Sequence, residues 1–214
     1  MLLKQLSNDD KRLFLRVAEL LSLSDKPILW GGKRKEEITS TTNLSDIKIQ
    51  RGERETLALE DLHLALQVSE DKAEPAASGS WGNLGNLGNL GNLFQQVAAM
   101  AQGANSIEYS LLARIKKLPL QTADDPAARA SAALEILRDQ LKEKKSILPS
   151  VPKLMLFELM MLALTDGAVS SIEWQVLNEF KHHYQIEDHI FDDLLARAEL
   201  TYREAQKTIA IILE

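Results

Sequence analysis

A helix–loop pattern that occurs twice in this chain limits the folds that it can adopt. Residues 20–28 read LLSLSDKPI and residues 161–169 read MLALTDGAV. Each segment places apolar residues at helical spacing and then an aspartate, Asp25 in the first copy and Asp166 in the second. We call the turns that begin at these two residues the first and the second Asp loop.

A further helix is predicted after each Asp loop. The stretch ETLALEDL begins at Glu55 and resembles EWQVLNEF, which begins at Glu173. The first copy also carries an irregular insertion, residues 28–52, whose paired glycines and many Ser, Thr and Asn residues indicate a small hairpin or an ordered loop. Because two helix pairs of this kind commonly pack face to face, we predict one all-α helical bundle that contains both Asp loops.

A low-complexity tract separates the halves of this predicted domain. Residues 1–72 would form its N-terminal half and residues 94–214 its C-terminal half. Residues 73–93 include four copies of Gly-Asn-Leu, and Gly and Asn disfavour the interiors of helices and strands. We interpret this tract as a flexible linker; the alternative is an apolar ridge of leucines that docks on a partner or a membrane.

In the C-terminal half, a helical pattern is predicted from about residue 94; it pauses at residues 103–105 and continues through SIEYSLLARIKKL. Asp125-Pro126 is a typical helix start, and the helix that follows should run to about residue 147. The most apolar stretch, KLMLFELMMLALTD, is too short to span a bilayer and therefore predicts a core helix. Thr201 and Glu204 fit a capping box between two helices. The remaining helices are predicted over residues 170–184, 188–199 and 202–213.

Composition and motifs exclude several kinds of function. The chain has no cysteine, which excludes disulfides, thiolate zinc sites and cysteine nucleophiles. Its net charge of −6 argues against nucleic acid as the main partner. The first residues include acids where a signal peptide would be apolar, so we expect a cytoplasmic protein. Phosphate-binding loops, nucleophile elbows and HExxH motifs are missing, so we do not expect an enzyme.

Asp166 is the residue that helix capping leaves unexplained. Gly167 is a typical helix stop, and Ser170 with Glu173 fits a capping box for the next helix. An acid in the last turn of a helix opposes the macrodipole by about 0.3–1 kcal/mol. Asp166 would offset this cost either by accepting backbone N–H bonds or by binding a divalent cation with Glu173. With the equivalent pair of the first copy, the candidate metal ligands are Asp166, Glu173, Asp25 and Glu55.

A second cluster of residues that can bind metals lies near the C-terminus of the sequence. Neighbouring residues of a helix point about 100° apart, so His182 and His183 cannot easily face one ion. We therefore interpret this cluster as a solvated polar face. Its members are His182, His183, His189, Asp188, Asp192 and Asp193.

The residues of the second copy resemble the TerB-like family, a group of helical proteins named after tellurite resistance. The resemblance rests on Asp166, Gly167, Val169, Ser170 and Glu173, together with the N-terminal stretch LSNDDKRLFLRVAELLSLSD. It covers residues 5–28, 53–68 and 150–214 approximately. It implies a helical bundle that serves as a metal-associated or adaptor-like module, in stress response among other contexts. The first Asp loop departs from the family pattern, because Lys26-Pro27 stands where the second loop has Gly167-Ala168.

The sequence and this resemblance together predict a non-enzymatic adaptor that binds another protein, with a divalent cation as its candidate regulator. The alternative is an oligomerisation or membrane-associated scaffold that uses the leucine-rich tract. A third hypothesis is a hydrolase in which Asp166 and Glu173 hold a catalytic metal.

Overall fold

A computed structural model describes Leu3 and residues 6–66, 106–142 and 148–213. The side chain of Glu55 is also outside the described set. The predictions for the linker at 73–93, for the helix expected from residue 94 and for residues 143–147 therefore fall on parts of the chain outside this description.

Seven α-helices and one two-stranded hairpin make up the described part of the chain, which confirms the all-α class. In chain order they are α1 (Asn8–Ser24), β1 (Ile28–Trp30), β2 (Ile47–Ile49), α2 (Glu53–Leu66), α3 (Ile107–Ile115), α4 (Pro126–Lys142), α5 (Ser150–Ala163), α6 (Ser171–His183) and α7 (Asp188–Leu213). Single 3-10 turns lie at Lys35–Glu37 and Leu164–Asp166.

Helix α1 lies at the centre of the bundle. Its N-terminus is capped as the spacing of Ser7 and Asp10 in the sequence predicts, because the Ser7 hydroxyl accepts the backbone N–H of Asp10 at 3.2 Å. Every side chain from Leu20 to Ser24 is buried, so the end of the helix is enclosed on all sides. The buried hydroxyls of Ser22 and Ser24 donate to carbonyls of the preceding turn, which satisfies both groups. The helix contacts α2, α3, α4, α5 and α6.

The most apolar stretch of the sequence forms α5, and it is the core helix that its composition predicts. Met155, Leu156, Leu159 and Met160 are all fully buried. Helix α5 packs against α1, α6 and α7, while α4 packs against α1, α3 and α6. Within the described ranges, no helix is both long and apolar enough to cross a membrane.

The insertion at 28–52 contains the small hairpin that was one of its two predicted forms. Strands β1 and β2 pair antiparallel, with Ile28 opposite Ile49 and Trp30 opposite Ile47. These four side chains are buried, so the insertion packs against the hydrophobic core. The chain leaves β1 through Gly31, whose φ of +56° is in the left-handed region that favours glycine.

The two helices predicted at the C-terminal end are in fact one helix, α7. Thr201 was predicted to cap the second of them, but its hydroxyl donates to the carbonyl of Arg197 at 2.8 Å, one turn earlier in the same helix. Glu204 pairs with Lys207 at 2.7 Å instead of reaching back to Thr201. The prediction was wrong because a capping box begins a helix only where its first residue is non-helical. Past the body of the bundle, α7 exposes the apolar side chains of Ile209, Ile211, Ile212 and Leu213.

Candidate functional site

The second Asp loop has the local structure that its sequence predicts. Helix α5 ends through the 3-10 turn Leu164–Asp166, and Gly167 follows with φ +93°. The N–H of Gly167 donates to the carbonyl of Leu164 at 2.8 Å. Ser170 accepts the N–H of Glu173 at 3.3 Å, and the Glu173 carboxylate accepts the N–H of Ser170 at 2.7 Å. The glycine stop and the capping box are both confirmed.

A lysine of the first Asp loop binds the carboxylate of the second. The ammonium of Lys26 donates to Oδ2 of Asp166 at 2.7 Å and lies 3.5 Å from Oδ1 of Asp25. The side chain of Lys26 is only 11% exposed, whereas that of Asp166 is 47% exposed. The two Asp loops therefore meet at one buried ammonium group, although 140 positions separate Lys26 from Asp166 in the sequence. The sequence indicated Lys26 only as a departure from the family pattern and not as a site residue.

Glu173 is the most deeply buried carboxylate of this region. It lies in the first turn of α6 and is 4% exposed. Burial raises the pKa of its carboxyl from an ordinary 4.5 to about 7, although the N–H of Ser170 acts in the opposite direction. The charge of Asp25 raises this pKa further, and that of Lys26 lowers it. The pKa of Glu173 therefore depends on charges in the first Asp loop, whereas the sequence analysis had suggested Glu173 and Asp166 as joint ligands of one metal ion.

A second buried cation comes from α4. The guanidinium of Arg129 is 6% exposed and donates to the carbonyl of Leu23 at 3.4 Å. Burial lowers the pKa of Arg129, and the charges of Asp124 and Asp25 raise it. Among the described residues, Nε of Arg129 and Oδ1 of Asp25 are buried without a hydrogen-bond partner.

We call this group of charged side chains the Asp-loop cluster. Its members are Asp25, Lys26, Arg129, Asp166 and Glu173. It combines three carboxylates with two cations, all from residues that lie close to the ends of α1, α5 and α6 or on the facing side of α4. The arrangement places two cations next to carboxylates of both Asp loops and joins the two copies of the repeated pattern.

The cluster does not fit the divalent cation that the resemblance implies. Such an ion prefers several oxygen ligands around it, but here the ammonium of Lys26 lies against Asp25 and Asp166. Within the described ranges, no group of three or more His, Cys, Asp or Glu side chains is placed to hold a metal ion. The side chain of Glu55 falls outside the description, so the set Asp166, Glu173, Asp25 and Glu55 stays a prediction.

The histidine-rich cluster lies on the surface. His182 and His183 are exposed, and Nδ1 of His189 lies 3.2 Å from a carboxylate oxygen of Glu187. Asp188 pairs with Lys181 at 2.8 Å, which lowers the pKa of the Asp188 carboxyl. These side chains make separate surface contacts, as expected of a solvated polar face.

A partly apolar groove opens beside the second Asp loop, between that loop, α6 and α7. Its volume is about 410 Å³. Trp174 is 40% exposed there, and its ring packs edge-on against Phe191 with the centroids 5.4 Å apart. Glu199 and Arg203 form an ion pair of 3.1 Å in the wall of the groove. The lining residues are Leu164, Gly167, Ala168, Val169, Trp174, Leu195, Glu199, Tyr202 and Arg203.

Comparisons of the chain with protein-family models, with curated proteins and with solved structures find no match. The resemblance to the TerB-like family therefore stays an expectation that rests on the quoted residues alone. The function has to be inferred from the Asp-loop cluster and from the groove beside it.

Proposed function

We propose that this chain is a non-enzymatic helical module that binds another protein through the groove beside the second Asp loop. The observation that carries the proposal is the exposure of Trp174 in that groove. Trp, Tyr and Arg are the residue types that most often dominate the energy of protein interfaces. Trp174, Tyr202 and Arg203 all line this one groove.

The groove also has the mixture of surfaces that a protein interface needs. Val169 and Leu195 contribute apolar area, and the pair of Glu199 and Arg203 offers polar groups at the side. The ring of Trp174 is supported by Phe191, so little side-chain entropy would be lost when a partner covers it. The Glu199 carboxylate is already bound by Arg203, which suits recognition better than proton transfer.

The stress-response setting rests on the resemblance alone. The proposal includes no divalent cation, because the cluster next to the groove contains the ammonium of Lys26.

A charge reversal within the groove tests the proposal. Arg203→Glu changes a lining residue, while Arg197→Glu makes the same change on the same helix outside the groove. Peptides should first be selected from a displayed library on the wild-type protein, and their affinity for both variants should then be measured by calorimetry. We expect Arg203→Glu to weaken binding at least about tenfold and Arg197→Glu to leave it nearly unchanged. Equal affinities for both variants would show that the groove is not the binding surface.

Self-association is a second candidate function, and the exposed end of α7 favours it. Ile209, Ile211, Ile212 and Leu213 lie together in the last turns of that helix and are exposed. The leucine-rich tract that the sequence suggested for this role is outside the described residues. Sedimentation velocity over a hundredfold range of concentration should separate the candidates. A dimer that Ile212→Asp dissociates, with the selected peptides still bound, would support self-association as an additional property.

A further inference from the structure

The two Asp loops differ at the position after the aspartate, where the first has Lys26 and the second has Gly167. We propose that the ammonium of Lys26 is the cation of this site. It holds the two Asp loops together in the place where a divalent ion would be expected, so the fold needs no metal there. This inference concerns the cluster and is independent of partner binding in the groove.

The geometry places one positive charge between carboxylates of both copies. Nζ of Lys26 is 2.7 Å from Oδ2 of Asp166 and 3.5 Å from Oδ1 of Asp25. The electrostatic influence of Lys26 also reaches Glu173, on the first turn of α6. A single ammonium therefore acts on Asp25, Asp166 and Glu173, which are three of the four candidate metal ligands that the sequence suggested.

An ammonium on a long side chain can replace a bound ion in this role. It has three N–H donors, and its four-carbon stem can be buried while the charge reaches its partners. Pro27 directly follows and restricts the backbone of Lys26, which lowers the entropy lost when the contact forms. A divalent ion at the same point would be repelled by the ammonium, and Arg129 adds a second positive charge beside Asp25.

Because the ammonium of Lys26 is part of the chain, the contact between the two Asp loops does not depend on the concentration of a free metal ion. A bound ion stabilises a fold in proportion to the logarithm of its free concentration, whereas a covalently attached ammonium is always present. The link between the two Asp loops should therefore survive complete removal of metal.

The first test uses the full wild-type chain, stripped of metal by a chelator. We expect its melting temperature to change by less than about 1 °C when millimolar magnesium, calcium or manganese is added. Calorimetric titration with each ion should give no heat of binding. A saturable rise in melting temperature with any of the three ions would overturn the proposal.

The second test compares two lysines. Lys26→Met should lower the melting temperature by about 5–10 °C, because the carboxylates of both Asp25 and Asp166 then lose the nearly buried ammonium that lies between them. The matched control is Lys142→Met, which removes a 3.0 Å ion pair to Asp139 from a lysine that is 73% exposed. The control should change the melting temperature by about 2 °C or less. Equal effects of the two variants would contradict the proposal.

A double-mutant cycle measures the interaction between Lys26 and Asp166 directly. Asp166→Asn changes a half-exposed side chain, so this variant should fold, with a lowered melting temperature. Combined with Lys26→Met, it should lower stability by clearly less than the sum of the single effects. Additive effects would show that the two side chains do not interact and would overturn the proposal. If Lys26→Met does not fold, the metal titrations of the wild type and of Asp166→Asn still test the proposal. The proposal requires that added ions leave the melting temperatures of both proteins unchanged.

Discussion

Replacing Glu173 with glutamine should remove the contribution of this carboxyl group to the pH dependence of stability, which lowers the free energy of unfolding as the pH rises from about 4 to 8. Glu173 is almost fully buried, and burial raises the pKa of its carboxyl from 4.5 to about 7. Between those values the folded protein holds a proton on Glu173 that the unfolded chain has released. Stability must therefore fall with rising pH through this window, because the folded state binds more protons.

The size of the effect follows from the shift in pKa. The pKa rises from 4.5 to about 7, and each unit corresponds to about 1.4 kcal/mol. The ionised carboxylate of Glu173 should therefore destabilise the folded protein by about 3 kcal/mol at pH 8, relative to about pH 4. Glutamine is neutral at every pH, and its amide oxygen still accepts the N–H of Ser170. Any packing cost of the amide group is the same at all pH values and does not change the slope.

Urea unfolding monitored by circular dichroism, from about pH 4 to pH 8, measures this linkage. The free energy of unfolding of Glu173→Gln minus that of the wild type should increase with pH by about 3 kcal/mol. Taking this difference cancels the contributions that the histidines and the other carboxylates make to the pH dependence. Glu179→Gln is the matched control, because Arg138 holds the pKa of that carboxyl below its ordinary value. The free energy of unfolding of Glu179→Gln minus that of the wild type should decrease as the pH rises. A difference for Glu173→Gln that does not depend on pH would refute the reasoning.

Four further substitutions test the packing and the turns. Leu177→Ala, at a fully buried position, should lower the free energy of unfolding in urea by about 2–5 kcal/mol, whereas Leu64→Ala, at a position that is 75% exposed, should change it by about 0.5 kcal/mol or less. Gly167→Ala should cost about 1–2 kcal/mol in thermal melts, because φ is +93° and the nearest atom to an added Cβ is 3.9 Å away, so the cost is backbone strain and not a clash. Ser170→Ala should cost about 1 kcal/mol through the lost cap of α6; no change in urea would mean that this cap does not stabilise the helix.

Local structure that depends on neighbouring residues was predictable from the sequence. The start of α1 at Ser7, the glycine stop at Gly167 and the capping box of Ser170 and Glu173 depend on contacts within three or four positions. The all-α class was equally predictable, since apolar spacing adds up over many residues of each helix. The sequence also suggested Asp25, Asp166 and Glu173, together with Glu55, as candidate metal ligands, and that role stays a prediction.

Contacts that join distant parts of the chain could not be predicted from the sequence. Asp166 is bound by Lys26 from the other copy, and no local rule connects positions so far apart in sequence. Helix α7 runs through its apparent cap at Thr201 because Ala198 is buried before that residue and Tyr202 packs against the core after it. The pKa of Glu173 likewise depends on burial, which the packing of α6 against α4, α5 and α1 creates. Local hydrogen bonds and apolar spacing can be read along a sequence, but burial and long-range ion pairs exist only once the helices have packed.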